Sequence, residues 1–371
     1  MRMPIAPLAR SPRGACARRS RSARTNGAIG VVAAALLLAA CSAPAPSAAP
    51  AVTVTPTIEP SKLAPPTPDV PLVWPLTGVT TDAVAERPAV AVKIENTHLA
   101  RPQSGLEQAD VVWETIVEFD VSRLIAVYHS QVPTQVGPVR SVRPMDPLIV
   151  APLHGPLAYS GGQPGILALI PNAGIQSISH DAGAPGLARI STRSAPHNVY
   201  GNVETFMASA DASHSAPPPG QFAFARSAEL AGAVVSGTPA ATLSFRLSSQ
   251  SNPAWTWDAG SGLWLRSEGT TSAVSATGDR LTATNVVAVT AGHPNSPFSA
   301  QNAAPVPTYD LVGEGDVTVA TGGRTVAGTW RKTAMDAPLQ LFLADGSPLL
   351  LAPGTTWVEL VPSGTGSLTV S

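Results

Sequence analysis

The chain has 371 residues, with 23 Lys and Arg against 24 Asp and Glu, and 13% of its residues are charged. Its 38 prolines are about twice the usual share of roughly 5%; proline removes a helix donor and clashes with the preceding turn, which excludes long helical bundles and coiled coils. A mean hydropathy of +0.15 and 44% hydrophobic residues exclude wholesale disorder, and a net charge of −1 leaves no electrostatic footprint for nucleic acid.

The charge sum hides an asymmetry. The first 41 residues hold seven arginines and no acid, so the remainder carries 16 basic against 24 acidic residues, a charge of −8. After the basic stretch comes an apolar run, 28–40, shorter than the roughly 20 residues that span a bilayer. Basic, then apolar, then small residues is the layout of a secretory signal. The cut site Leu38-Ala39-Ala40-Cys41 resembles the lipobox of bacterial lipoproteins. That resemblance implies a signal peptide over 1–40 and acylation of Cys41, as by palmitate. The alternative is plain cleavage after Ala40 with a free thiol. Arg18-Arg19 leaves the twin-arginine route open beside the general one, although the flanking residues fit it poorly. Cys16, the other cysteine, leaves with the signal; with Cys41 acylated, the mature body has no thiol for a disulfide, a nucleophile or a metal. Core burial must hold it together, for which about 300 residues suffice. Residues 41–71 are the lipidated cysteine and a Pro/Ala-rich tether, extended in the polyproline manner to about 90 Å at roughly 3.1 Å per residue.

Residues 72–215 read as a mixed α/β domain. The run 89–94 is apolar and β-branched enough for a buried strand. Ser104, three residues before Glu107, has capping-box spacing for a short helix. The runs 111–118 and 123–130 predict a hairpin turning at 119–122, with Glu118 opposite Arg123, Ile116 opposite Ile125 and Glu114 opposite Val127. Alternation puts Glu114, Ile116 and Glu118 on one face and Trp113, Thr115 and Val117 on the other. A basic, turn-rich segment follows at 137–144, then a helix-like stretch to Val150, a strand at 157–160, and helices over 164–170 and 201–210. Residues 216–239 form a linker. The segment 240–362 carries only short β-type runs, at 242–247, 255–257, 263–266, 285–290, 317–320, 325–332, 339–343 and 356–361, separated by turn signals. They predict a smaller, mostly-β domain, as a sandwich or open barrel, followed by a tail at 363–371. The expected fold class is therefore α+β. Five tryptophans in this half (255, 257, 264, 330 and 357) are expected in its core. The alternation of Trp255 and Trp257 on one face leaves a sugar-stacking platform as the other reading.

Several strings recur in a known order. They are Arg87-Pro88-Ala89-Val90-Ala91-Val92, Glu95-Asn96, Arg101-Pro102-Gln103-Ser104-Gly105-Leu106 and Ala109-Asp110-Val111-Val112-Trp113-Glu114. Arg123-Leu124-Ile125-Ala126-Val127, Gly137-Pro138-Val139-Arg140-Ser141-Val142-Arg143 and Ala195-Pro196-His197-Asn198 follow. The second half adds Gly328-Thr329-Trp330-Arg331-Lys332, Asp345-Gly346 and Pro353-Gly354-Thr355-Thr356-Trp357. This series resembles the YerB-like lipoproteins of bacteria, a two-domain family of unknown function, over roughly residues 72–362. The resemblance implies a two-domain extracytoplasmic lipoprotein and supplies no catalytic residue.

Candidate chemistry comes from the residues themselves. Arg140 and Arg143, in a turn-rich segment, offer forked donors to a carboxylate or phosphate if the turn brings them together; otherwise they pair with Glu114, Glu118 or Asp110. Glu114 and Glu118, four apart on a strand, would lie about 13 Å apart, beyond the roughly 9.5 Å limit of a glycosidase pair. His197 and Asn198 sit in loop-like sequence as binding candidates or as a loop lock. Polar loops containing Lys93, Asn96, Arg193 and His197 are expected near the arginine turn. Metal, Walker, dinucleotide and nucleophile-elbow spacings are missing, and no cofactor is expected.

The expected protein is a lipid-anchored, extracytoplasmic membrane lipoprotein. It binds an anionic envelope ligand, such as a cell-wall or phosphorylated glycan, through Lys93, Glu114, Arg140, Arg143, His197 and Asn198. Alternatives are a hydrolase or transferase of envelope carbohydrate using Glu114 and His197, and a structural module that docks an envelope protein.

Overall fold

The apolar run at Ala89 forms β1 (Val90–Glu95), and the next two form β2 (Val111–Ile116) and β3 (Ser122–Tyr128), every residue of which is buried. The computed structural model describes residues 70–371 together with Val54; the signal segment, Cys41 and nearly all of the tether lie outside the described residues.

β2 and β3 form the expected hairpin in a different register. Ile116 pairs with Ser122, Thr115 with Arg123 and Glu114 with Leu124. The connection is the cause. Val117 and Glu118 leave the strand, and a turn closes through Val117 N donating to Val121 O at 2.9 Å. Inside it Phe119 and Asp120 adopt left-handed backbone conformations, at φ 64° and 59°.

The helices are short: α1 (Asp146–Val150), α2 (Pro164–Asn172) and α3 (Val203–Ala208). Pro147 and Pro164 occupy first turns, where their missing N–H is harmless, and Pro171 stands in the last turn of α2. Ser104 caps nothing. A single 3₁₀ turn, Leu106–Gln108, starts instead from Gly105 in a left-handed conformation, and the Ser104 hydroxyl donates to Gln135.

β4 (Leu157–Tyr159) and β5 (Ser177–Ser179) lie parallel beside β1. In the second half every expected run is a strand: β6 (Thr242–Arg246), β7 (Pro253–Asp258), β8 (Leu263–Glu268), β9 (Asn285–Ala291), β10 (Gly313–Thr321), β11 (Arg324–Lys332), β12 (Gln340–Phe342) and β13 (Thr356–Pro362), followed by β14 (Ser367–Val370).

These strands do not stay within their own half. One eleven-stranded sheet runs β12-β11-β10-β9-β13-β2-β3-β1-β4-β5, with Thr238–Pro239 on β11. β13 is its joint, parallel to β9 on one side and to β2 on the other. A six-stranded sheet, built on the order β8-β7-β6-β14, packs on one face of it. The mixed α/β character expected of residues 72–215 is thereby corrected: 37% of the described residues are strand and 13% helix. The helices stay within a few turns, while buried β-branched runs find partners from both halves.

Each face of the large sheet has its own core. Val111, Trp113, Val289 and Leu360 pack beneath α1 and α2. Val112, Ile116, Val286 and Trp357 pack against the second sheet. Trp255 and Trp264 are wholly buried there, Trp255 edge-on to Trp357 and Trp257 against Trp264. Trp330 lies in the opposite core, its indole N–H donating to Thr290 O at 2.9 Å. The five tryptophans of the second half are core residues, Trp257 being partly exposed. Among the described residues no helix is long and apolar enough to cross a membrane, and no cluster of His, Cys, Asp and Glu could hold a metal ion.

Candidate functional site

β1 ends at Glu95, which pairs with Arg123 at the start of β3. Segment 137–143 crosses this end of the sheet, pinned by Arg140 N donating to Lys93 O at 2.8 Å and Val142 N donating to Gly161 O at 2.9 Å. The result is a cavity of ≈ 600 Å³ lined by Arg123, Arg140, Arg143, Glu95, Glu118 and His197, with Phe119, Val121, Ile166 and Val306 as its apolar wall.

The two arginines singled out in the sequence both reach this cavity, and they are not equivalent. Arg143 is fully engaged: its Nε donates to Glu118 Oε2 at 2.5 Å, a second nitrogen donates to Glu118 Oε1, and Nη1 donates to Val142 O at 2.7 Å. Arg123 joins them, donating to Glu118 Oε1 at 3.3 Å and to Ser141 O at 2.9 Å. Arg140 makes no side-chain hydrogen bond among the described residues. Its one partner is Glu95, at 3.4 Å, and its side chain is 23% exposed. Glu95 also accepts from Thr97 at 2.8 Å and meets His197 Nδ1 at 2.9 Å.

Burial raises the Glu118 pKa, but the Arg143 hydrogen bond and the charges of Arg123 and Arg143 outweigh it and hold the carboxyl at about 2. Burial, then the neighbouring Arg143 charge, lowers Arg123 to about 9. Behind the cavity Lys93 is wholly buried, its Nζ 2.7 Å from Asp146 and 3.2 Å from Thr115 Oγ1. Burial pulls Lys93 down to about 8 against the opposing Asp146 charge. Asp146 also accepts from Arg143 N at 2.8 Å and so sets the start of the arginine turn.

Of the six residues named from sequence, Arg140, Arg143 and His197 line the cavity. Lys93 supports it from below. Asn198 does not line it: it accepts from Arg189 at 2.7 Å and donates to Ile190 O at 3.3 Å, locking its loop. Glu114 belongs to another network. It is buried in register beside Glu359, and Arg266 reaches in from β8 to Glu114 at 2.6 Å, Glu359 at 2.7 Å and Glu268 at 2.9 Å. The guanidinium lies 4.3 Å from the Trp357 ring centroid. Burial and the adjacent Glu114 push Glu359 well above the ordinary carboxylate range; Glu114 is held below it because Arg266 outweighs its own burial. Glu114 and His197 therefore share no cavity, and the hydrolase or transferase reading has no acid/base pair here. A smaller cavity of ≈ 340 Å³ adjoins the Arg266 network.

Sequence reasoning gave Glu118 to Arg123 or to the arginine turn, both of which it meets here through Arg123 and Arg143, but it missed Glu95 and Phe119 as lining residues. The string Glu95-Asn96 marked the first of these; nothing local marked the second.

A mostly-β protein with one sheet shared by both halves, buried ion pairs and an arginine-lined cavity is the class these features define. Two family profiles match it, the N-terminal domain of a "Protein of unknown function (DUF3048)" over residues 76–216 and its C-terminal domain over 243–358. The chain belongs to this family, the YerB-like proteins. A Bacillus subtilis (strain 168) protein with the provisional name lipoprotein YerB is 51% identical over 70 residues, 19% of this chain. That match spans only about a fifth (21%) of the relative's own length. The crystal structure of the YerB protein from Bacillus subtilis matches with a TM-score of 0.66 at 23% identity, covering 80% of this chain and 99% of that one. It establishes a shared fold.

Proposed function

We propose that this is an extracytoplasmic lipoprotein, anchored to the cell membrane through Cys41, that binds an anionic ligand of the cell envelope in the arginine-lined cavity. The anchor reading rests on the Leu38-Ala39-Ala40-Cys41 string and is supported by the name of the Bacillus subtilis relative. The binding reading rests on one observation: a part-buried guanidinium, Arg140, faces a ≈ 600 Å³ cavity with only a long ion pair to Glu95. A desolvated fork with free N–H groups is the donor set that carboxylates and phosphates engage in pairs. Arg143 and Arg123 fix Glu118 and shape the wall, while Arg140 takes the ligand. Acidic cell-wall glycans are the leading class and acidic segments of envelope proteins the second.

Calorimetry of the full chain with anionic envelope polymers tests this. Binding should weaken as salt rises, since partly exposed charges are screened, and should be lost in Arg140→Ala. A heat signal unchanged by Arg140→Ala, or no signal with any anionic polymer, overturns the proposal.

A further inference from the structure

We propose that the cavity binds a saccharide bearing a single carboxylate, with the carboxylate on Arg140 and the sugar ring lying on Phe119. This rests on the anion-binding reading above and names what carries the anion.

Phe119 is the first ground. It is a large apolar side chain, 60% exposed at the cavity wall. Its backbone lies at φ 64° and ψ 24°, a left-handed region that β-carbon sterics disfavour for a bulky side chain such as phenylalanine. Asp120 is left-handed too, at φ 59°, a conformation aspartate tolerates more readily. The loop between β6 and β7 of the second sheet holds this conformation from outside: Ser248 Oγ donates to Asp120 O at 2.5 Å, and Ser249 Oγ donates to Asp120 Oδ2 at 2.6 Å. A strained turn braced by another layer and presenting an aromatic ring over a polar cavity marks a functional constraint. Packing does not explain it, since most of the ring's surface meets solvent.

Charge is the second ground. Arg123, Arg140 and Arg143 face Glu95, Glu118 and Asp181 around the cavity, so its wall is balanced. A polyphosphate would meet three carboxylates for one available fork. A monoanion meets the fork alone, and the two oxygens of a carboxylate match its spacing.

Hydrogen-bonding capacity is the third. Gln163 and Ser141 offer both donors and acceptors, and the Asp181 side chain, 64% exposed, offers acceptors. A ring rich in hydroxyls uses both kinds. Its C–H face, slightly positive, suits the negative face of an aromatic ring. The volume, ≈ 600 Å³, lies within the usual range for small-ligand sites.

The test titrates the full chain with four probes: a glucuronic acid oligosaccharide, the matching neutral glucose oligosaccharide, glucose 6-phosphate and acetate. The uronic oligosaccharide should bind most tightly and be lost in Arg140→Gln. Phe119→Ala should weaken it about tenfold, the scale of one good aromatic contact, and leave acetate unchanged. Phe119→Gly should weaken binding similarly while raising the melting temperature, because glycine relieves the left-handed strain. A packing role for Phe119 would instead lower that temperature. Equal uronic binding by wild type and Phe119→Ala, or acetate binding as tight as the uronic probe, sinks the saccharide assignment and leaves the anion site standing. Tighter binding of glucose 6-phosphate sinks the carboxylate assignment. Failure of all three anions sinks both this inference and the anion site.

Discussion

Replacing Glu118 by glutamine keeps the side chain's shape and removes the charge that two guanidiniums converge on. Its carboxyl stands at about 2 in the folded protein against an ordinary 4.5. At about 1.4 kcal/mol per pH unit, the difference corresponds to about 3 kcal/mol of stability at pH 7. The folded pKa is depressed, so this contribution is present above pH 4.5 and is lost as pH falls through 2. At pH 3 about 1.4 kcal/mol should remain. Glutamine also turns an N–H₂ toward donors that expect an acceptor, so Arg143 and Arg123 are released into the cavity. Glu118→Gln should therefore be less stable than wild type by about 3 kcal/mol at pH 7 and by about half that at pH 3. It should also bind anions more tightly, with a steeper salt dependence. Urea unfolding at both pH values, with the slope checked for constancy, measures the first effect; anion titration measures the second. A loss under about 1 kcal/mol at pH 7, or one that is the same at pH 3, would refute the account of Glu118 as the counter-charge of this site.

Three further outcomes follow from the same geometry. Arg266→Met strands Glu114 and Glu359 side by side in the core and should cost about 3–5 kcal/mol by urea unfolding; adding Glu114→Gln should recover about 2 kcal/mol of it, and no recovery would deny the pair. Lys93, held near 8 against an ordinary 10.5, is deprotonated in the folded chain before the unfolded one. Stability should accordingly rise with pH in that window, by about 2 kcal/mol between pH 8 and 10 relative to Lys93→Met, and a flat difference would contradict its buried placement. Cys41→Ala should move the protein from the membrane fraction to the soluble extracytoplasmic fraction, which fractionation and blotting would reveal; retention on the membrane would remove the anchor.

The sequence by itself determined where most strands of the second half lie. Every β-type run expected in residues 240–362 is a strand, because alternation and β-branching act within a few neighbouring residues. The basic, apolar and small-residue order ahead of Cys41 is equally local. Tertiary structure decided the rest. The hairpin register followed the geometry of the 117–121 turn, where two residues take left-handed conformations that no side-chain pattern announces. β13 of the second half entered the sheet between β2 and β9, a pairing between segments far apart in the chain. The site turned on the same kind of choice. Glu118 had Arg123, Arg140 and Arg143 within reach in sequence, and only the crossing of segment 137–143 over the sheet end gave it to Arg143 and Arg123 and left Arg140 open. Local periodicity is written in neighbouring residues; which charge neutralises which is settled by packing between distant ones.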